Sequence, residues 1–423
     1  MIRGLFRFIY NVLRMFVRLL DLVVRGVFYA LLIFGIGVLV SFFFHPEPEV
    51  PAGAALVLRP VGTIVEQAEL EPPLALLRAG GAPAGQLRLA DLVEAVRSAR
   101  KDERIAALVI ETDELVGGGF SKLAELRAAI AEFKAAGKPV LARGERFTQS
   151  QYYLASVADE VHLSPDGFVL LRGLARYGTY FKDALDKLGV KVHVFRVGEY
   201  KSFAEPFTRN DMSDEDREST RDLLDGLWRI MRDDIAASRK LTPEAVDAHV
   251  NNIRDALAAS GGDAARAALA AGLVDRFSTR DEWRARLIEA VGIATDDKEP
   301  RSIDVDDYLL LSSRDADAAA SVAVIVAQGT IVDGAEPAGV VAGDTFAHLI
   351  REAREDEDVK ALVLRIDSPG GSAWASELIR RELQLTREAG KPVIASMSSV
   401  AASGGYWIAA GADEIWAAPG TVT

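Results

Sequence analysis

The sequence predicts an α/β protein: two tandem copies of one parallel βαβ domain, preceded by one transmembrane helix. Three observations carry this. Gly26–Phe44 is a run of 19 uncharged, mostly apolar residues, long enough to cross a bilayer core as a helix. Further on, Val96–Val109 (VRSARKDERIAALV) aligns without a gap on Ile350–Val363 (IREAREDEDVKALV), an offset of 254 residues from 96 to 350. In both halves short apolar runs alternate with amphipathic segments of helical period, the pattern of βαβ units.

The N-terminal segment, 1–45, carries five arginines and one aspartate. Arg3, Arg7, Arg14, Arg18 and Arg25 are spaced 4, 7, 4 and 7, which puts them on one face of a helix. Leu5, Phe8, Ile9, Val12, Leu13, Phe16 and Leu20 cover the other faces. Residues 2–25 therefore read as a basic amphipathic helix on the inner membrane surface, leading into the span. All five arginines precede the apolar run, so the positive-inside rule keeps the N-terminus cytoplasmic and sends the acidic body across the membrane. Ala52-Gly53-Ala54 resembles a signal-peptide cleavage site, but the basic region and apolar run are both longer than a signal peptide uses, which favours an uncleaved anchor.

The first copy is read over 46–300, with its folded part from about Val50 to about Glu299. Leu56–Leu58, Ala107–Ile110 and Val140–Ala142 read as buried strands and Lys122–Lys134 as an amphipathic helix. Val192–Val197 reads as strand, with His193 packed inside it, and Arg217–Val291 is helix-rich. Thr295–Ala320, rich in Asp and Ala, reads as the linker and opening of the second copy, 301–423. Its landmarks repeat those of the first. Gly390-Lys391-Pro392-Val393 answers Gly137-Lys138-Pro139-Val140, Tyr406-Trp407-Ile408-Ala409 answers Tyr152-Tyr153-Leu154-Ala155, and Ala412-Asp413-Glu414 answers Ala158-Asp159-Glu160. Gly329-Thr330-Ile331-Val332 matches Gly62-Thr63-Ile64-Val65 at a longer offset, 267 residues from 62 to 329. Agreement of this density means one domain used twice. The second copy stops at Thr423 in a strand-like segment. By comparison with the first, roughly a hundred or more residues are expected beyond it, and the chain as written is expected to be inactive, with its first copy the more stable.

Net charge is −13, and with the basic N-terminal segment set aside the body is more acidic still, which gives no reason to expect nucleic-acid binding. There are no cysteines, so disulfides, thiolate metal sites and a cysteine nucleophile are excluded. Metal-ligand spacings such as His-Glu-x-x-His are absent, as is a Gly-x-Ser-x-Gly elbow. None of the five histidines (His45, His162, His193, His249, His348) is near Ser403 in sequence, and none points to a histidine triad.

Gly390–Gly411 (GKPVIASMSSVAASGGYWIAAG) carries the chemistry. The run Val393-Ile394-Ala395 reads as a short buried strand, and Ala401-Ala402-Ser403-Gly404-Gly405 as a junction into a helix. A serine between tiny residues at such a junction is accessible and sits beside outward-pointing N–H groups, the setting of a nucleophile. The same position also suits a simple helix cap.

Together with Asp367-Ser368-Pro369-Gly370-Gly371-Ser372, Ala401–Trp407 and Phe195–Phe207 (FRVGEYKSFAEPF), the chain resembles the long form of the bacterial signal peptide peptidase A family (protease IV). The resemblance implies a fold of two tandem copies related to Clp protease and crotonase. It implies a Ser–Lys dyad, with Ser403 as nucleophile and Lys201 as general base. Gln149 stands in the first copy where the second has Ser403, and Leu115-Val116-Gly117 stands in place of the Pro-Gly-Gly turn, so the first copy lacks both features. A lysine base must be neutral near operating pH, which requires burial. Tyr200, Phe203 and Phe207 could supply it, whereas a solvated Lys201 paired with Glu199 or Glu205 would not be a base. The N–H groups of Gly370, Gly371 and Gly404 are the candidate oxyanion donors.

The implied activity is a membrane-anchored serine endopeptidase that degrades cleaved signal peptides and other peptides, without metal or cofactor. The implied assembly is a homo-oligomer, a tetramer, and the implied location the bacterial inner membrane. The alternatives are a noncatalytic scaffold or inactive form of the same fold, and a crotonase-type acyl-CoA enzyme, which suits the fold but not the anchor or Lys201.

Overall fold

The computed structural model describes residues 2–43, 49–69, 85–294, 298–312 and 321–423. It divides into two compact units, Met1–Glu49 and Val50–Thr423. The first is one helix, α1 (Ile2–Phe43), so the amphipathic segment and the span read separately from sequence are continuous. Its stretch Arg14–Gly37 has the length and composition to cross a membrane, and Asp21 pairs with Arg25 one turn on at 2.9 Å. Phe44, the last residue of the expected span, lies outside the described residues.

The second unit is built on two main parallel sheets, with two smaller ones beside them. The first half contributes β1 (Ala54–Leu58), β2 (Gly62–Val65), β3 (Gln86–Arg88), α2 (Leu89–Lys101), β4 (Ile105–Glu111), β5 (Leu115–Gly117), α3 (Phe120–Ala135), β6 (Val140–Gly144), α4 (Gln149–Ala155) and β7 (Glu160–Leu163). It continues with α5 (Asp214–Arg239), β8 (Arg276–Phe277), α6 (Arg280–Val291), β9 (Ser302–Asp304) and α7 (Val305–Ser312). The larger sheet has the order β8-β7-β6-β4-β1-β9. Central strands of a parallel sheet are covered on both faces and so read as continuous apolar runs; β1 is Ala-Ala-Leu-Val-Leu and all five residues are buried. Leu56, Leu58, Leu108, Ile110, Phe133, Tyr152 and Tyr153 fill its main core.

The second half contributes β10 (Ser321–Gln328), β11 (Ile331–Val332), β12 (Val341–Ala342), α8 (Gly343–Glu355), β13 (Val359–Ser368), α9 (Ala373–Glu388), β14 (Val393–Ala401), α10 (Gly404–Ala409) and β15 (Glu414–Trp416). Its sheet order is β10-β13-β14-β15, with Leu362, Leu364, Ile366, Ile379, Leu383, Val393 and Ile408 at its core.

Matched residues make matched bonds in the two sheets. Asp159 accepts the Val140 N–H at 2.9 Å, and Asp413 accepts the Val393 N–H at 2.9 Å. Lys138 donates to the carbonyls of Ala99 and Asp102, and Lys391 to those of Ala353 and Asp356. In each case an ammonium satisfies carbonyls at a helix C-terminus, where the orphan acceptors and the helix dipole both favour a cation.

Three sequence readings are corrected. Val192–Val197 forms no strand and His193 is exposed rather than packed; the free edge of β7 on that side is taken by β8, through Asp275 N–H to Val161 and Ser278 N–H to Leu163. Within the stretch read as linker, 302–312 are β9, paired with β1, and α7, whose Tyr308 hydroxyl donates to Asp102; residues 295–297 and 313–320 lie outside the described residues. The strand read at Val393-Ile394-Ala395, the counterpart of β6 in the second half, runs on to Ala401.

Candidate active site

β14 delivers the chain to Ser403, and α10 starts on the next residue. Ser403 has φ 53° and ψ −118°, one of only three non-glycine residues at positive φ among those described. That conformation is sparsely populated and costs on the order of 1–3 kcal/mol, so the surroundings must hold it. They do so through close backbone packing. A Cβ on Gly405 would lie 2.6 Å from the Ser368 carbonyl oxygen, and one on Gly404 would lie 2.5 Å from Ser376 Oγ. The two glycines let the helix start drop against Ser368 and α9, which turns Ser403 outward; it is exposed while Gly404 and Gly405 are buried. A strained strand-to-helix turn that presents a serine is the geometry of a nucleophile elbow, reached here without its glycine motif.

The facing turn follows β13. Ser368 Oγ accepts the Gly370 N–H at 3.1 Å, and the Ser368 carbonyl accepts the Ala402 N–H at 3.1 Å. Ile331 donates to the Gly370 carbonyl at 2.9 Å and accepts from Ser372 N–H at 2.9 Å. Gly370 has φ +98° and Gly371 φ +156°; a Cβ on Gly370 would lie 2.6 Å from Gly404 N and 2.7 Å from Ser403 Cβ, and one on Gly371 would lie 2.0 Å from the Ile331 oxygen. Among the described residues the N–H groups of Gly371 and Gly404 donate to nothing. They sit on either side of the same small space, since a Cβ on Gly404 would be 3.2 Å from Gly371 N. Two free donors beside an exposed hydroxyl can hold the negative oxygen of a tetrahedral intermediate.

Ser403, Gly370, Gly371 and Gly404 are thus brought together; Lys201 is not joined to them. It lies on an irregular segment and is exposed, its carbonyl accepting Arg196 Nη1 at 3.0 Å. Among the described residues its ammonium makes no hydrogen bond or ion pair, either to Ser403 or to Glu199 or Glu205. Glu205 is buried and accepts the Ser213 N–H at 3.0 Å. The aromatic cover expected over Lys201 is absent as well, Phe203 being 91% exposed. Gln149, at the position matching Ser403, serves the fold instead. Its amide brackets the passing chain, donating to the Gly173 carbonyl at 3.1 Å and accepting Arg172 N–H at 3.1 Å.

The family model for peptidase family S49 matches residues 132–294 and 386–423. Protease 4 of Salmonella typhi is 41% identical across all of this chain and 68% of that protein. The chain belongs to peptidase family S49. Protease 4 of Haemophilus influenzae is 40% identical over 79% of this chain and 54% of its own length. The chloroplastic serine protease SPPA of Arabidopsis thaliana is 33% identical over 80% and 49%. The chain therefore spans between about half and two thirds of these relatives. A solved enoyl-CoA hydratase/isomerase family protein from Silicibacter pomeroyi superposes at a TM-score of 0.27 with 17% identity, over 58% of this chain and 80% of that one.

Membership of family S49 makes the chain a serine peptidase. Ser403 lies in the matched C-terminal region, exposed and with the Gly371 and Gly404 N–H groups beside it. Two polar groupings in this S49 chain were not read from sequence. His162 Nδ1 lies 2.7 Å from Ser278 Oγ and its Nε2 3.0 Å from Glu160, superficially a serine–histidine–acid relay. Both His162 and Ser278 are buried and Trp283 packs edge-on against the imidazole, so no substrate reaches them. Burial also pushes the imidazole pKa down. The second grouping is Lys122 with Asp367, buried between the two halves. A signal for it exists: Lys122, Leu126, Ala129 and Phe133 fall at helical spacing on the apolar stripe of α3, all buried.

Proposed function

We propose that the chain is a membrane-anchored serine endopeptidase, built from two copies of one domain, that cuts peptides at or in the membrane, remnant signal peptides among them. The observation that carries this reading is Ser403, exposed at a strained strand-to-helix turn with two unengaged N–H groups beside it. Its hydroxyl attacks the scissile carbonyl while Lys201 takes the proton and returns it to the leaving amine. The Gly371 and Gly404 N–H groups, in a turn shaped by Gly370, hold the oxyanion. Water then cleaves the acyl-enzyme by the same proton path in reverse.

Lys201 needs burial to act as a base. Tyr177, Phe195, Val197 and Phe203, on the same irregular segment, are 93%, 97%, 93% and 91% exposed, an apolar surface that favours docking on another copy. A homo-oligomer is the proposed working form, and assembly is what desolvates Lys201. The arginines of α1 support a cytoplasmic N-terminus and an extracytoplasmic body on the bacterial inner membrane.

The test is a fluorophosphonate probe with the adduct mapped by mass spectrometry, alongside turnover of an internally quenched peptide. Ser403 is the expected adduct. Ser403→Ala and Lys201→Ala each abolish turnover and the double variant is no worse, since residues acting as a unit are non-additive. Gln149→Ala keeps its chemistry. Labelling at another serine, or near-normal turnover in Lys201→Ala, overturns the assignment.

A further inference from the structure

Between β13 and β14 the pairing slips: Ile366 faces Met397, but Ser368 faces Ala401. Two steps on β13 span four on β14, so Ser398–Val400 bulge across Asp367. A bulge leaves ladder groups without partners. The Asp367 side chain makes good one of them, its Oδ1 accepting the Val400 N–H at 3.1 Å. Its other oxygen takes the ammonium of Lys122, which reaches across from α3 in the first half of the chain. The Lys122 and Asp367 side chains are 7% and 12% exposed. Space there is tight: at Gly119, where φ is +77°, a Cβ would fall 2.6 Å from Ser399 Oγ and 3.3 Å from Lys122 Nζ.

The residues that follow each end of this bridge are those of the site. One step beyond Asp367 is Ser368, whose carbonyl and hydroxyl hold Ala402 and Gly370. Three steps beyond Val400 is Ser403. One carboxylate therefore ties the segment carrying Ser403 and the Gly404 donor to the turn carrying the Gly371 donor, and one ammonium from the other half of the chain balances its buried charge.

We propose that Lys122 is a positioning residue: through Asp367 it fixes the distance between Ser403 and the Gly370-Gly371 turn, so that the half lacking a nucleophile sets the catalytic geometry of the other. This rests on the peptidase reading above.

The experiment compares Lys122→Met, Lys122→Arg, Asp367→Asn and the Lys122→Met/Asp367→Asn double variant in the full chain. It measures kcat and KM on the quenched peptide, the rate of Ser403 labelling, and amide exchange of 366–372 and 399–404. Lys122→Met is expected to lower kcat and labelling rate at least tenfold with KM within twofold, and to speed exchange in both segments; Lys122→Arg keeps most of the activity. The double variant is expected within threefold of Asp367→Asn alone, since the asparagine oxygen still accepts Val400 N–H and no charge remains to balance. Wild-type rates in Lys122→Met, or a double variant well below Asp367→Asn, overturn the proposal. Should Lys122→Met fail to fold, the comparison of the double variant with Asp367→Asn decides. Should the wild-type chain fail to react at Ser403, it is the peptidase reading that falls; exchange then judges the bridge alone, and unchanged exchange in Lys122→Met overturns it.

Discussion

Gly370→Ala is the sharpest single perturbation of the site. The backbone there has φ +98°, and an L side chain in the left-handed region costs about 1–2 kcal/mol. The new methyl would also lie 2.6 Å from Gly404 N, 2.7 Å from Ser403 Cβ and 2.8 Å from the Ala402 oxygen. All three contacts are backbone or Cβ, so no flexible side-chain end can swing away. Overpacking of this kind costs roughly 1–3 kcal/mol, and the relief available is to push the Ser403–Gly404 segment off the turn by several tenths of an ångström. That separates the Gly371 and Gly404 donors, and loss of one oxyanion donor costs about 10²–10³ in kcat, roughly 2.7–4 kcal/mol. The expected result is a folded variant with kcat down at least a hundredfold, KM little changed and a lowered thermal midpoint. Gly137→Ala is the control: φ is +86° and nothing lies within 4 Å of the added carbon, so it should lose about 1 kcal/mol of stability and no activity. Gly370→Ala with kcat within threefold of wild type would mean that the turn does not face the reacting carbonyl.

Two further outcomes follow from the fold. A reporter fused near residue 60 should behave as extracytoplasmic, because the arginines of α1 all precede the apolar run; cytoplasmic activity there would reverse the orientation. Glu160 is held to a pKa of about 2, chiefly by hydrogen bonds from Arg286 and also from His162. A depressed carboxyl pKa stabilises the fold above the ordinary carboxylate value, and that contribution is lost as pH falls towards about 2. Arg286→Gln should therefore unfold at lower urea than wild type at pH 6, with the difference shrinking in acid; a gap that persists at pH 2 would place the effect elsewhere.

Much of the site's material is legible in the sequence. The small residues from Ala401 to Gly405 announce close packing and an accessible serine, and the Pro369-Gly370-Gly371 run announces backbone that bulky residues cannot follow. The burial of β1 and β4 follows from unbroken apolar runs. Val192–Val197 misled because strand propensity means little without an edge to pair with, and β8, short and unremarkable in sequence, already occupies the edge of β7. His193 followed that error into solvent.

Sequence by itself determined many of the local features: where the buried core strands lie, which end of α1 is basic, which segments answer each other across the chain, and where glycine is obligatory. These follow from the period of the chain and from backbone sterics, which act over a few residues. Tertiary structure decided the rest. The positive φ of Ser403 exists because Gly404 and Gly405 press on Ser368 and Ser376. The Lys122–Asp367 bridge joins residues 245 apart, and only the packing of α3 on β14 brings them within reach. Lys201 is exposed in the single chain for the complementary reason: desolvating a lysine takes a surface laid over it, and the described residues lay none there.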